Sequence, residues 1–171
     1  SVETIKNNYP NVKIHSLKHN LGYAKGYNYI FNRLKKNQSI DYYLILNNDA
    51  IVSDNLLDAL YDSAIRYGLD NIYGPKINYL DENKLWFAGG YYNKYIGLTK
   101  HIGIRNIENN IFYKANKTSY ISGCCMFIKK ILIESLEGFS EIYSMYYEDV
   151  DLCHRANISG FQSYIVDQTL I

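Results

Sequence analysis

The sequence has few cysteines, almost no net charge and no long apolar run, and each shortage excludes a class of protein. Its three cysteines, Cys124, Cys125 and Cys153, lack C-x-x-C spacing, which argues against a disulfide framework or a zinc site. We expect Cys124 and Cys125, which lie in an apolar run, to be buried as small hydrophobic side chains. No run approaches the roughly 20 apolar residues of a membrane-spanning helix, so we expect no span here.

The net charge of +1 argues against a nucleic-acid binder, because such proteins concentrate Lys and Arg on one face to meet phosphates. Composition is otherwise that of a globular domain, with 47% hydrophobic and 20% charged residues. The 19 tyrosines stand out. Aromatic rings can stack on sugars, but ordinary packing also uses them, and we favour packing as the explanation.

Helix-like and strand-like segments alternate along the chain. Helical spacing predicts helices over 1–8, 22–36 and 148–159, and one capped by Ser53 and stopped at Gly68. Apolar runs or alternation predict strands over 12–17, 42–46, 71–77, 85–88, 120–128 and 161–166. This order predicts an α/β layered sandwich with a mostly parallel central sheet. Residues 93–117 follow no pattern, which is typical of a lid or of a crossing without a role.

The first candidate site follows the apolar run 42–46, where Asn47, Asn48 and Asp49 end a predicted central strand. Ligands of open α/β sheets bind at the carboxyl ends of strands, and a carboxylate there suits Mg²⁺ or Mn²⁺. Asn and Asp also dominate turns, so the motif alone favours a plain turn.

The second candidate site is Glu148, Asp149 and Asp151, which open a predicted helix after an aromatic run. Acids stabilise a first helical turn, which is one explanation. Aromatic walls can instead raise a carboxyl pKa and make the group a base. The helix dipole opposes that shift, so its sign stays open at this point. Six residues beyond Asp149, Arg155 is expected to pair with a nearby acid rather than take part in catalysis.

The third candidate site is the segment 20–28, where Gly22 and Gly26 fall at a strand-to-helix turn. Glycines there let a ligand approach backbone N–H groups, although a tight turn explains them equally well. A further break at Ser122 and Gly123 indicates a close backbone approach in an apolar strand. Trp86 is expected to belong to the core.

Together these motifs resemble the family 2 glycosyltransferases, especially their rhamnosyltransferase-like bacterial members. That family shows Asn-Leu-Gly-aromatic-Ala-x-Gly-x-Asn, Leu-Asn-Asn-Asp, Gly-Pro-Lys, Ser-Gly-x-x-Met, Gly-Phe-x-Glu and Tyr-x-Glu-Asp-x-Asp-Leu-Cys-x-Arg. The matches fall, in order, at 20–28, 46–49, 74–76, 122–126, 138–141 and 146–155. Motifs in register over nearly the whole chain make the resemblance specific.

The resemblance implies a GT-A nucleotide-diphospho-sugar transferase fold and an inverting transfer. Asp49 would be the last acid of a metal-binding triplet for Mg²⁺ or Mn²⁺, with Asn47 at its first position. Asp149 would be the catalytic base, with Glu148 beside it. The residues near the nucleotide would be Gly22, Asn28, Asn47, Asn48 and Asp49.

The implied reaction moves a hexosyl or rhamnosyl group from a nucleotide-diphospho-sugar donor to a glycan or lipid-linked glycan acceptor, in polysaccharide or cell-envelope synthesis. No nucleic-acid partner is expected. We expect a cytoplasmic protein that works at the inner face of the membrane in its full length. Two alternatives stay open, a non-catalytic module that binds sugar nucleotides and a nucleotidyltransferase of similar fold.

We expect one catalytic-core domain over 1–171, lacking its first strand region and its C-terminal part. The chain starts inside a helix-like stretch with no strand before it and ends in apolar sequence without a turn. In the family, the first strand and an acid on the second hold the base and ribose. The isolated chain is therefore expected to bind donor weakly or to be inactive.

Overall fold

The computed structural model describes residues 2–80, 82–107 and 116–170, with the side chains of all but 116 and 167–170. The described helices are α1 (Val2–Asn8), α2 (Tyr23–Leu34), α3 (Leu56–Tyr67), α4 (Lys130–Ser135) and α5 (Glu148–Ile158). The described strands are β1 (Tyr42–Leu46), β2 (Ile72–Asn78), β3 (Leu85–Phe87), β4 (Gly90–Asn93), β5 (Leu98–His101), β6 (Asn116–Thr118), β7 (Cys125–Lys129) and β8 (Ser163–Leu170).

The central sheet has the strand order β1-β7-β2-β8-β6, with β3 paired to β2. Strands β1, β2 and β8 run in one direction, while β7 and β6 run in the other. The predicted mostly parallel sheet is therefore wrong in this respect, since β2 and β8 are its parallel neighbours and the other described pairs are antiparallel. Parallel neighbours need a crossover connection. β7 follows β6 without a helix between them and enters the sheet reversed.

Helices cover both faces of this sheet, as the predicted layered α/β class requires. On one face α3 packs against β2, β7 and β8 through Leu60, Tyr73 and Phe127. On the other, α2, α4 and α5 pack against alternate residues of the same strands, among them Ile72 and Ile128. Period-two alternation along each strand supplies one residue to each core in turn.

Helix α3 begins two positions later than predicted. Asn55 occupies the N-cap position rather than Ser53, and the helix ends at Gly68, whose φ of 119° suits a residue without a side chain. The spacing of Leu56, Leu57, Leu60 and Ala64 predicts a buried stripe, and Leu56, Leu60 and Ala64 are buried. Leu57 is instead 56% exposed.

Three segments differ from their predictions. The predicted strand 120–128 begins only at Cys125, and residues 121–124 before it form a turn. Residues 12–17 were expected to form a strand but are irregular, with no ladder partner among the residues that the structure describes. Part of the patternless stretch 93–117 forms an antiparallel hairpin of β4 and β5, with Tyr91 opposite Lys100. Residues 108–115 of that stretch lie outside the described residues. Within the described residues, no helix is long and apolar enough to cross a membrane.

Candidate active site

Two turns meet at one edge of the sheet because β7 pairs antiparallel with β1. Leu46 ends β1 opposite Cys125, which begins β7. The Asn47 N–H donates to the Cys124 carbonyl oxygen at 2.9 Å. The turn of residues 47–49 therefore lies beside the turn of residues 122–124.

The Asp49 turn opens toward solvent. Asn48 and Asp49 are exposed and Asn47 is partly buried. Burial raises the pKa of the Cys124 thiol, and the charge of Asp49 adds to that rise. The Asp49 carboxylate thus acts electrostatically on the neighbouring turn while staying accessible to a ligand.

Asp149 lies on the other side of the 122–124 turn, in the first turn of α5. Its Oδ2 accepts the Gly123 N–H and its Oδ1 accepts the Val150 N–H, each at 2.8 Å. Burial raises the pKa of this carboxyl. Hydrogen bonds from Gly123, Val150 and its own N–H oppose the rise, as does the nearby His101, but burial prevails. A raised pKa makes the group a better proton acceptor in the range where it stays ionised.

Glu148 faces the interior rather than the turn. It is 7% exposed, and its Oε2 has no hydrogen-bond partner among the described residues. Burial raises the pKa of this carboxyl too, and Asp149 adds to the rise, while its own backbone N–H opposes it. The sequence left open whether the pKa values of these acids are raised or lowered. Both are raised, because burial outweighs the backbone N–H groups that stabilise the ionised carboxylates.

Two tyrosines of α2 hold the two turns. The Tyr23 hydroxyl donates to the Gly123 carbonyl oxygen at 2.5 Å, and the Tyr27 hydroxyl donates to the Leu46 carbonyl oxygen at 3.2 Å. A Cβ added at Gly123 would lie 2.6 Å from the Tyr23 hydroxyl oxygen. The close approach predicted at Ser122 and Gly123 is confirmed, but nothing in the sequence identified Tyr23 as its partner.

Gly22 precedes α2 and lines a cleft beside it. Its φ is 76°, and its N–H donates to Asn20 Oδ1 at 2.8 Å. The cleft has a volume of about 410 Å³ and runs between residues 20–25 and 141–144. A ligand can therefore reach the Gly22 backbone, although its contact with a nucleotide stays a prediction.

Asn28 lies one and a half turns along α2 and points away from both turns. Its Nδ2 donates to the Phe139 carbonyl oxygen at 2.8 Å and to Glu141 Oε1 at 3.0 Å. Its Oδ1 accepts the Phe139 N–H at 2.9 Å. The side chain thus connects α2 to the segment before α5, and a nucleotide contact for it stays a prediction.

The other polar residue of the last motif behaves as predicted. Arg155 pairs with Asp151 at 2.7 Å and donates to the Gly138 carbonyl oxygen at 2.8 Å. It therefore supports the same segment that Asn28 binds and takes no part in the turns around Asp149. The cysteines are free. Cys125 is buried as expected, whereas Cys124 was also expected to be buried but is only partly so. Cys153, whose burial was not predicted, is buried as well.

The β4–β5 hairpin covers the Asp149 side of the site. The Tyr147 hydroxyl donates to the Gly97 carbonyl oxygen in the hairpin turn at 3.1 Å. The His101 ring lies 4.9 Å from the Trp86 ring and 5.1 Å from the Phe87 ring. Trp86 is partly buried against the core, as expected. Sequence reasoning missed His101, because residues 93–117 show no period that would place its side chain.

The two residues before the acid pair have a left-handed backbone. Tyr146 and Tyr147 have φ values of 68° and 71°. Non-glycine residues in that region cost about 1–3 kcal/mol each and cluster at functional sites. Tyr147 is the N-cap residue of α5, so this backbone directly precedes Glu148 and Asp149.

Comparisons with known proteins bear on the family and the fold of the chain. Residues 1–136 match the family described as Glycosyl transferase family 2. N-acetylglucosaminyl-diphospho-decaprenol L-rhamnosyltransferases from two strains of Mycobacterium tuberculosis, CDC 1551 / Oshkosh and ATCC 25618 / H37Rv, are 26% identical over 176 residues. That similarity covers 92% of this chain and 57% of theirs, so the chain spans a little over half the length of these relatives.

A solved structure supports the fold. The crystal structure of GalNAc-T7 with UDP, GalNAc and Mn²⁺ matches with a TM-score of 0.74 and 14% identity, over 99% of this chain and 33% of that one. The GT-A class predicted from the sequence is confirmed. With the family match covering most of its length, the chain belongs to glycosyl transferase family 2.

Proposed function

We propose that this chain transfers a sugar from a nucleotide-diphospho-sugar to an acceptor hydroxyl with inversion, and that Asp149 is the base. The observation that carries the proposal is the convergence on the 122–124 turn. Asp149 accepts the Gly123 N–H, and the Asn47 N–H donates to Cys124 beside it. One turn thus holds both the base and the strand end that presents Asp49.

Asp149 has the geometry of a proton acceptor. Each carboxylate oxygen accepts one backbone N–H, which fixes its orientation. An ionised carboxylate has about four acceptor positions, so positions remain for an incoming hydroxyl proton. A base held in this way contributes roughly 10²–10⁴-fold to a rate.

Asp49, with Asn47 and Asn48 beside it, would hold a divalent cation. The described residues contain no group of three or more His, Cys, Asp or Glu that could hold a metal. That fits Mg²⁺ or Mn²⁺ bound by about one or two carboxylates together with substrate phosphates, rather than a closed protein cage. Bound there, the cation would act as a Lewis acid toward the charge on the leaving nucleoside diphosphate.

The acceptor class follows from the relatives. Their name specifies L-rhamnosyl transfer to a diphospho-decaprenol-linked sugar. We infer for this chain a glycan or lipid-linked glycan acceptor and a hexosyl or rhamnosyl donor, in cell-envelope or polysaccharide synthesis at the inner face of the membrane. The 26% identity supports the class of reaction rather than a particular sugar.

Donor binding is tested by thermal melting with UDP, dTDP and GDP, each with and without Mn²⁺. We expect one nucleotide to raise the melting temperature only with metal, because binding to the folded state adds about 2.7 kcal/mol at a hundredfold excess over Kd. Asp49→Ala should abolish the effect. Asp54→Ala, which removes an exposed carboxylate from the same loop, should retain it. Because the isolated chain is expected to bind donor weakly, the measurement is repeated on the full-length protein, and no shift with any nucleotide in either would overturn the donor site.

Transfer is tested separately with Asp149→Asn. We expect this variant to keep the metal-dependent nucleotide shift and to lose roughly 10²–10⁴-fold in turnover. Turnover equal to wild type would remove Asp149 from the base role. Wild-type chain that binds donor but transfers nothing to any hydroxyl would instead support a non-catalytic binding module.

A further inference from the structure

The segment 84–107 has charge of one sign only. It contains Lys84, Lys94, Lys100 and Arg105 and no Asp or Glu, whereas the whole chain has 18 basic and 17 acidic residues. All four cations are exposed. Lys84 pairs with Glu82, just outside the segment, at 2.8 Å, so the positive charge of the hairpin itself comes from Lys94 and Lys100. The near-neutral protein therefore has a local positive surface around the β4–β5 hairpin.

The hairpin has two faces of different character. The pairs Gly90 with His101 and Tyr92 with Thr99 alternate with the pair Tyr91 and Lys100. The first set faces the protein, since His101 contacts Trp86 and the Tyr92 ring lies 5.3 Å from the His154 ring. The pair Tyr91 and Lys100 lies on the face toward solvent, as does Leu98, which is opposite Asn93. Tyr91 is 55% exposed and Leu98 60% exposed.

The tip of the hairpin is apolar and cationic at once. Tyr95 is 87% exposed and Ile96 64% exposed. The Lys94 Nζ lies 5.3 Å from the centre of the Tyr95 ring. Exposed tyrosine and aliphatic side chains next to lysines are typical of segments at a membrane–water interface. We call the outer face and tip together the hairpin surface, formed by Tyr91, Lys94, Tyr95, Ile96, Leu98 and Lys100.

We propose that the hairpin surface docks on a bilayer that contains anionic lipids. Charge complementarity argues for this occupant, because cations without intervening acids fit a negative headgroup layer. A second exposed apolar stripe, Tyr61 and Ile65 on α3, is accompanied by two acids, Asp58 and Asp62, and one cation, Arg66, and fits such a surface less well. Membrane docking itself does not depend on the proposed function. Only its role, which is to bring a lipid-linked acceptor to Asp149, rests on that function.

Tyr147 links the hairpin surface to the candidate active site through its contact with the hairpin turn. Tyr147 directly precedes Glu148 and Asp149, and its hydroxyl donates to the Gly97 carbonyl oxygen. The outer face can therefore lie on a bilayer while the inner face stays against the start of α5. A lipid-linked acceptor would then reach Asp149 from the surface on which the protein is docked.

The test is co-sedimentation of the chain with vesicles of phosphatidylcholine, alone or with added phosphatidylglycerol. We expect binding to the anionic vesicles that weakens as salt is added. Lys94→Gln with Lys100→Gln should weaken it about 30-fold, from about 1 kcal/mol per basic residue at the surface. Tyr95→Ser with Ile96→Ser should weaken binding to both kinds of vesicle. Tyr61→Ser with Ile65→Ser removes a matched pair of exposed side chains from α3 and should leave binding unchanged.

Wild-type chain that ignores anionic vesicles, or hairpin variants that bind as wild type does, would overturn the proposal. So would a dimer in sedimentation velocity that the hairpin variants dissociate, because the surface would then join two copies. Unchanged melting temperatures show that the variants are folded. The nucleotide shift is read in parallel, so vesicle binding without a nucleotide response would leave docking standing while the donor site fails.

Discussion

A Cβ atom placed on Gly123 would lie 2.6 Å from the hydroxyl oxygen and 3.0 Å from the ring carbon Cζ of Tyr23. Because the same residue donates its N–H to Asp149, its backbone cannot move away freely. We expect Gly123→Ala to lower the free energy of unfolding by about 1–3 kcal/mol, the usual cost of overpacking. Urea denaturation measures it.

Tyr23→Phe supplies the second arm of a double-mutant cycle. Removing the hydroxyl takes away the nearest atom, so the double variant should lose less stability than the sum of the two single variants. Gly26→Ala is the matched control, because a Cβ there meets nothing within 4 Å. That change should be neutral or stabilising, since glycine is unfavourable inside a helix. Additive losses at Gly123 and Tyr23 would contradict the contact.

The buried Glu148 carboxyl makes stability depend on pH. Its folded pKa lies above the usual glutamate value of about 4.3, so between those values the folded protein holds more protons than the unfolded chain. Stability then falls as pH rises through that window. We expect Glu148→Gln to melt above wild type on the alkaline side of the window and to converge with it in acid.

Melting curves across the acid to neutral range test this. Glu3→Gln, which changes an exposed carboxylate on α1, should follow the wild-type curve throughout. A Glu148→Gln difference that stays constant with pH would show that packing, rather than proton binding, causes the effect.

For individual residues, the sequence predicts the two candidate acids but not the side chains that hold the turns around them. Asp49 and Asp149 are recognisable because each falls at the end of a strand or the start of a helix that local patterns predict. The bond from Tyr23 to Gly123 joins residues 100 positions apart, and no local period encodes such a contact. The hydroxyl partners of the site were therefore beyond prediction.

Among the elements, α2 packs its aromatic rings on Phe139 in the segment before α5, and the side chain of Asn28 adds hydrogen bonds to that segment. Asn28 both donates to the Phe139 carbonyl oxygen and accepts the Phe139 N–H. Asn28→Asp keeps the acceptor, loses the donor and places a charge beside Glu141. We expect it to lower the free energy of unfolding by about 1–3 kcal/mol, the cost of an unsatisfied buried group.

Denaturant unfolding of Asn28→Asp is compared with that of Asn32→Asp. Asn32 lies on the same helix and is exposed, so its change should cost little. Equal losses in the two variants would mean that helix propensity, rather than the Phe139 contacts, determines the cost.

The prediction of elements succeeded for strands buried on both faces and failed for their direction. An apolar run such as 120–128 indicates a strand between two layers of helices, and β7 occupies its second half. Direction depends on how the chain reaches the sheet, and the stretch before β7 has no period from which to infer it. The hairpin of β4 and β5 was missed for the same reason.

For the whole molecule, the strand order predicts how the sheet assembles. Among the strands that the structure describes, β1 pairs with β7 alone, and β7 separates it from β2. We therefore expect the backbone amides of β1 to gain protection from exchange together with those of β7 during refolding, because β1 can form its ladder only when β7 is in place. Pulse-labelling hydrogen exchange measures this order. Protection of β1 before β7 would show that another segment pairs with it transiently.

During synthesis on the ribosome, this strand order leaves β1 without its partner for some time. β1 emerges early, but its partner is not available until Lys129 has left the exit tunnel. At about 5–20 residues per second that interval lasts several seconds, during which an aromatic, unpaired strand edge is exposed. We expect the nascent chain to depend on chaperones over this interval. The candidate active site cannot form before β7 has emerged, because the 122–124 turn, which binds Asp149, directly precedes β7 in the chain.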